Sequence, residues 1–121
     1  MANPFAYCEL HTQNPGQAKD FYGRLFDWKM SDSPSPVGTY TEIAPGEGIA
    51  AGLLASQAPG APSHWLTYIR VEDVEAATQK ARTLGANVLV EAAEVPNTGW
   101  FSVLVDPTGA HFGIWEKMGE K

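Results

Sequence analysis

Cysteine is almost missing from this sequence: 121 residues contain one, Cys8. A single thiol excludes an intrachain disulfide framework and any cysteine-rich zinc site. Basic residues are also few, with 8 Lys and Arg against 14 Asp and Glu, so the formal charge is −6. Scattered as they are, they form no clustered positive surface of the kind that phosphate backbones select, and nucleic acid is not an expected partner. No apolar run approaches the roughly 20 residues that a membrane helix needs. The N-terminus has neither the basic start nor the long apolar stretch of a signal peptide. No membrane association and a reducing, cytoplasmic setting are therefore expected. Also absent is the low hydrophobicity of disordered chains: 44% of residues are hydrophobic and 18% charged. The chain is expected to fold, and its length fits one domain, residues 1–121.

What is present is a repeat. Gly38, Gly48 and Gly52 return as Gly99, Gly109 and Gly113, each 61 positions later. In the same window Tyr40 matches Phe101, Ile43 matches Leu104, Leu53 matches Ile114 and Leu54 matches Trp115. Upstream the shift is 59, pairing Asn14 with Asp73, Ala18 with Ala77 and Leu25 with Leu84.

Each copy has a readable local order. "FAYCELHT" (5–12) sets Cys8, Leu10 and Thr12 against Tyr7, Glu9 and His11, the period-two pattern of a strand with two different faces. "NPGQAKDFYGRLFDW" then predicts a helix capped by Asn14, with Pro15 in its first turn and Ala18, Phe21, Tyr22, Leu25 and Phe26 at helical spacing. The second copy has the strand "WLTYIRV", then a helix from Asp73 carrying Val74, Ala77, Ala81 and Leu84 and stopped by Gly85. "ANVLVEA" and a hairpin turned by Asp-Pro-Thr-Gly complete it. Residues 31–38 read as a loop able to act as a lid, 55–64 as a linker, and 117–121 as a fraying end. The fold class is α+β: two tandem βαβββ modules (4–55 and 64–117) forming a curved, partly closed mixed sheet around a cavity, with the helices outside.

Strand parity names the residues facing that cavity. With Cys8, Leu10, Ile69 and Val71 under the helices, Tyr7, Glu9 and His11 face inward from one module and Leu66, Tyr68 and Arg70 from the other. In the last strand Phe112 and Ile114 take the helix side, leaving His111, Gly113 and Trp115 inward. Trp100 is placed with the aromatic lining as well. Glu9 and Arg70 are costly to bury alone, so either they pair or the face is wet.

These features resemble the vicinal oxygen chelate superfamily, which holds glyoxalase I, bleomycin-resistance proteins and extradiol dioxygenases. The resemblance rests on the paired modules, on "ELHTQNPGQAKDFYGRLFDWKM", on "RVEDVEAATQKARTLGANVLV" and on "DPTGAHFGIWE". It implies a homodimer with modules paired within or between chains. It also implies metal-ligand positions, which fall here on Tyr7, Gly52, Leu66 and Gly113. None is an imidazole or carboxylate, so no metal and no cofactor are expected. A displaced site would need three of Glu9, His11, His64 and His111 to converge, and no His-x-His or His-Glu-x-x-His spacing supports one.

The expected function is metal-independent binding of a small organic ligand. Tyr7, Tyr68, Trp100 and Trp115 would supply aromatic walls, and His11 a polar contact. One alternative is an acid–base lyase or isomerase acting beside a carbonyl. There Arg70 would bind a ligand oxygen as a forked donor, Glu9 would move a proton, and His111 would be the second acid or base. Against these roles stands a plain Glu9–Arg70 ion pair that only stabilises the join. A further alternative is a metal-dependent glyoxalase or dioxygenase with a displaced site. Drug sequestration needs no acid or base, and the negative charge suits a cationic ligand.

Overall fold

The computed structural model describes residues 2–57 and 60–119. Positions 58–59 of the expected linker and 120–121 of the expected fraying end lie outside the described residues. Two compact units emerge: residues 7–66, and the described residues up to 6 together with those from 67 onward.

The first unit holds β1 (Phe5–Thr12) from residue 7 on, then α1 (Pro15–Leu25), β2 (Lys29–Ser35), β3 (Gly38–Ala44), β4 (Ala51–Ala55) and the first three residues of β5 (His64–Arg70). Its strands are ordered β2-β3-β4-β1, with β2, β3 and β4 antiparallel and β4 parallel to β1. The second holds β5 from residue 67 on, then α2 (Val74–Thr83), β6 (Asn87–Val95), β7 (Gly99–Val105) and β8 (His111–Lys117). Here β6, β7 and β8 are antiparallel and β8 is parallel to β5. The two βαβββ modules therefore share one topology, as the repeat implies.

Caps and clips fix each helix on its sheet. Asn14 Oδ1 accepts from Gln17 N at 3.1 Å, and Asp73 Oδ1 accepts from Ala76 N at 3.1 Å. Lys19 Nζ donates to Asp32 Oδ2 at 3.1 Å, and Thr41 donates to Asp32 Oδ1 at 2.7 Å, tying α1 to β2 and β3. In the second unit Glu116 Oε1 accepts from Val74 N at 2.9 Å, and the Thr78 and Ser102 hydroxyls meet at 2.8 Å. Beneath α1 the core is Leu10, Ile43 and Leu53; beneath α2 it is Val74, Leu104 and Ile114.

Two expectations are corrected. Residues 31–35 of the expected loop are strand: β2 pairs with β3 from Lys29↔Ala44 to Ser35↔Gly38. Its polar, Pro34-containing sequence is tolerated because β2 has only β3 beside it within this unit, and proline is admitted on such a border. The apolar stripe of α1 is only half used. Ala18 and Tyr22 pack on the core, whereas Phe21, Leu25 and Phe26 are exposed. The Phe21 and Phe26 rings instead gather around Tyr22 and Trp28.

The hairpin glycines explain part of the repeat. Gly48 and Gly109 both take positive φ, +83° and +98°, a conformation that favours glycine. Around Gly109, Asp106 Oδ1 accepts from the Thr108 amide, the Thr108 hydroxyl and the Ala110 amide. These bonds, led by the hydroxyl, hold the carboxyl below its ordinary value of 3.8. A carboxyl depressed by folding contributes stability above its unfolded pKa and loses it as pH falls through the folded one. Asp106→Asn keeps the acceptor oxygen and removes the charge. The variant is expected to unfold with a shallower loss of stability than wild type below pH 4, read from urea midpoints across that range.

Candidate functional site

On β1 the alternation sends Leu10 to the core under α1 and leaves Tyr7, Glu9 and His11 on the opposite face. Glu9 is 6% exposed, and each of its carboxylate oxygens has a partner. His11 Nε2 lies 2.9 Å from Oε1, and the Tyr40 hydroxyl donates to Oε2 at 2.8 Å. The His11 ring stacks on His64 with centroids 5.3 Å apart and planes 14° from parallel. His64 Nδ1 donates to the Pro62 carbonyl at 2.9 Å, which fixes its proton on that nitrogen. Burial first, and the Glu9 charge second, push the Tyr7 phenol well above its ordinary range. The same two causes, with the bond to Glu9, push Tyr40 higher still. Both phenols stay protonated at neutral pH.

Linker residues support this group. Gln13 N donates to Ser63 Oγ at 3.0 Å, Gln13 Nε2 donates to the Ala61 carbonyl, and Ser56 N donates to Thr12 O at 2.8 Å. The described part of the linker is thus fastened to the end of β1 and brings His64 beside His11.

The third repeated glycine pair lies under tyrosines. Gly52 is opposite Glu9 on β4 and opposite Glu42 on β3, and the volume that a Cβ at 52 would take holds the Tyr40 hydroxyl and its ring carbon. In the second unit Tyr68, 2% exposed, is opposite Gly113, and its ring covers that glycine in the same way. Phe101, the repeat partner of Tyr40, meets Tyr68 edge-on at 6.1 Å. Trp115 is opposite Phe101 and lies over Gly99, where a Cβ would come 2.9 Å from the indole.

In this second unit, then, Tyr68, Phe101, Gly113 and Trp115 share one face. Arg70 is opposite Trp115 at the end of β5, its amide donating to the Pro4 carbonyl at 2.9 Å. His111 opens β8 at an exposed position opposite Val105. Trp100 is corrected: it packs on the Val74, Leu104 and Ile114 cluster. Parity places it with Ser102 and Leu104 under α2, away from Tyr68 and Trp115.

Tyr40, bonded to Glu9, is not among the residues that strand parity names. Its parity with Glu42 and its match to Phe101 in the other copy give its face but not its reach to Glu9.

These residues do not fit the metal that the fold family implies. Of the implied corners, Tyr7 is a neutral phenol and Leu66 is 1% exposed and apolar. Gly52 and Gly113 offer no donor, and their side-chain volumes are taken. Among the described residues, no three His, Cys, Asp or Glu side chains come together so as to hold a metal ion.

The model of the Glyoxalase/Bleomycin resistance protein/Dioxygenase superfamily matches residues 5–114. The chain belongs to this superfamily. It is 37% identical over 116 residues to the Mycobacterium tuberculosis protein named "Putative glyoxylase CFP32", covering 91% of this chain and 44% of that one. To the anthracycline biosynthesis protein DnrV of Streptomyces peucetius it is 27% identical over 127 residues, covering 93% of this chain and 46% of that one. The chain thus spans about half the length of these superfamily relatives. Among solved structures it is similar to Streptomyces coelicolor methylmalonyl-CoA epimerase in complex with 2-nitronate-propionyl-CoA. That match has a TM-score of 0.71 and 12% identity, and covers 98% of this chain and 100% of that one, a likeness of fold.

Proposed function

We propose that this chain binds a small organic molecule without a divalent ion, against the face of the first unit that carries Tyr7, Glu9, His11 and Tyr40. One observation carries the reading: the Tyr40 hydroxyl occupies the side-chain volume of Gly52 and donates to Glu9. The corner where relatives are expected to present a ligand to an ion instead presents a neutral phenol bonded to a carboxylate. Two half-buried phenols, a fixed carboxylate and a histidine form the sparse polar set on an aromatic wall that orients small ligands. A superfamily neighbour that holds a coenzyme A ester in its complex supports ligands of this size.

A second reading is favoured by the state of Glu9. It is buried, and its two oxygens are held by separate donors, which suits a carboxylate that takes a proton from carbon beside a carbonyl, with His11 as its link to solvent.

The test is a thermal-shift screen of chelator-treated protein against dicarbonyls, aromatic acids, acyl thioesters and cationic antibiotics. A ligand at 100 times its dissociation constant should add about 2.7 kcal/mol of stability. A hit that needs added zinc, nickel or cobalt, or no hit at all, would overturn the proposal.

A further inference from the structure

Gly52 is opposite Glu9 in the parallel β1–β4 pair, so a side chain there would stand on the same face and directly beside the carboxylate. That space is filled from the next strand: Tyr40 lies two residues from Glu42, the β3 partner of Gly52, and shares its face. The phenol crosses over the glycine and ends on Glu9 Oε2 at 2.8 Å. Position 52 must therefore be glycine while position 40 is tyrosine. Any Cβ would meet the hydroxyl, and a phenol held by a carboxylate cannot swing away without giving up that bond.

On the other oxygen of Glu9 sits His11. A carboxylate and an imidazole already in contact are two of the three protein ligands with which zinc is satisfied, the remaining position going to water. The place beside them that a side chain at position 52 would take is filled by the tyrosine.

We propose that Tyr40 is the positioning residue of this site, its hydroxyl doing for Glu9 what an ion and a ligand at position 52 would otherwise do, so that Tyr40 and Gly52 form one exchangeable unit. The inference rests on the metal-independent reading given above. Replaced together, the two residues should open a cation site built from Glu9, His11 and the new carboxylate; replaced singly, they should not.

Zinc alone is the probe. Chelator-treated wild type, Tyr40→Ala, Tyr40→Phe/Gly52→Glu and Tyr40→Ala/Gly52→Glu are titrated, with the melting midpoint and bound zinc measured by dialysis. The exchanged pair, Tyr40→Ala/Gly52→Glu, is expected to bind one zinc and to melt at a temperature that rises with zinc and saturates. The other three are expected to do neither. The Phe-containing pair keeps the ring in place and so separates position from charge. A folded Tyr40→Ala/Gly52→Glu that ignores zinc overturns the inference and leaves the metal-independent reading standing. Stoichiometric zinc in wild type overturns that reading itself. Should the exchanged pair not fold, Gly52→Ala decides in its place. In the wild-type background it should lower the midpoint, and in the Tyr40→Ala background it should lose at least half of that effect. Equal losses in both backgrounds contradict the exchange.

Discussion

Glu9→Gln is expected to weaken binding of the best ligand from the screen by about 10- to 100-fold, the range that follows from losing one hydrogen bond to a charged group, about 1.5–3 kcal/mol. The amide is close in shape to the carboxylate and still accepts from Tyr40. Its nitrogen faces His11, which can answer by presenting an unprotonated nitrogen. Stability should therefore fall by only about 1 kcal/mol. Glu9→Ala is a harsher change, because it leaves the Tyr40 hydroxyl and His11 without their acceptor on a buried face. Each orphaned group costs about 1–3 kcal/mol. Calorimetric titration of Glu9→Gln and urea unfolding of Glu9→Ala read the two effects separately. Unchanged affinity in Glu9→Gln would remove Glu9 from the site.

Leu53→Ala is expected to be the most damaging core truncation in the first unit. Leu53 is fully buried and packs with Leu10 and Ile43, while Ala18, Tyr22, Trp28 and Met30 close around them. It also lies between Gly52 and Leu54 on β4, whose register with β1 places Gly52 beside Glu9. The lost transfer energy and the cavity together cost about 2–5 kcal/mol. That is a large share of the 5–15 kcal/mol by which domains are usually stable. The urea midpoint should fall in proportion with the slope unchanged. Ligand affinity in the surviving folded fraction should fall too, because the cavity loosens the strand that carries Gly52.

The plan of the chain was open to sequence reading because the repeat tests each assignment twice. Asn14 and Asp73 cap equivalent helices, Gly48 and Gly109 turn equivalent hairpins, and the period-two pattern of residues 5–12 marks β1 at its observed bounds. Reading failed where a local signal competed with tertiary context. "SDSPS" reads as a loop because serine and proline favour turns, yet β3 recruits it as a strand. The aromatic character of Trp100 suggests a lining residue, and the parity that sends it under α2 becomes clear only once Ser102 meets Thr78.

That Glu9 and His11 share one face is legible because they alternate with buried residues on one strand. The place of Tyr40 is not, since its contact with Glu9 depends on how far a long side chain reaches across a third strand. No periodicity encodes that distance. The repeated glycines were visible, but their cause was not. Gly52 and Gly113 are glycines because tyrosines from elsewhere in each unit lie over them.

The most direct measurement is ligand affinity by calorimetry in the presence and absence of excess chelator, with elemental analysis of the same freshly purified sample. A substoichiometric metal content and equal affinities in the two titrations are predicted. One bound divalent ion per chain, with affinity lost on chelation, would contradict the view that a phenol serves Glu9 in place of an ion.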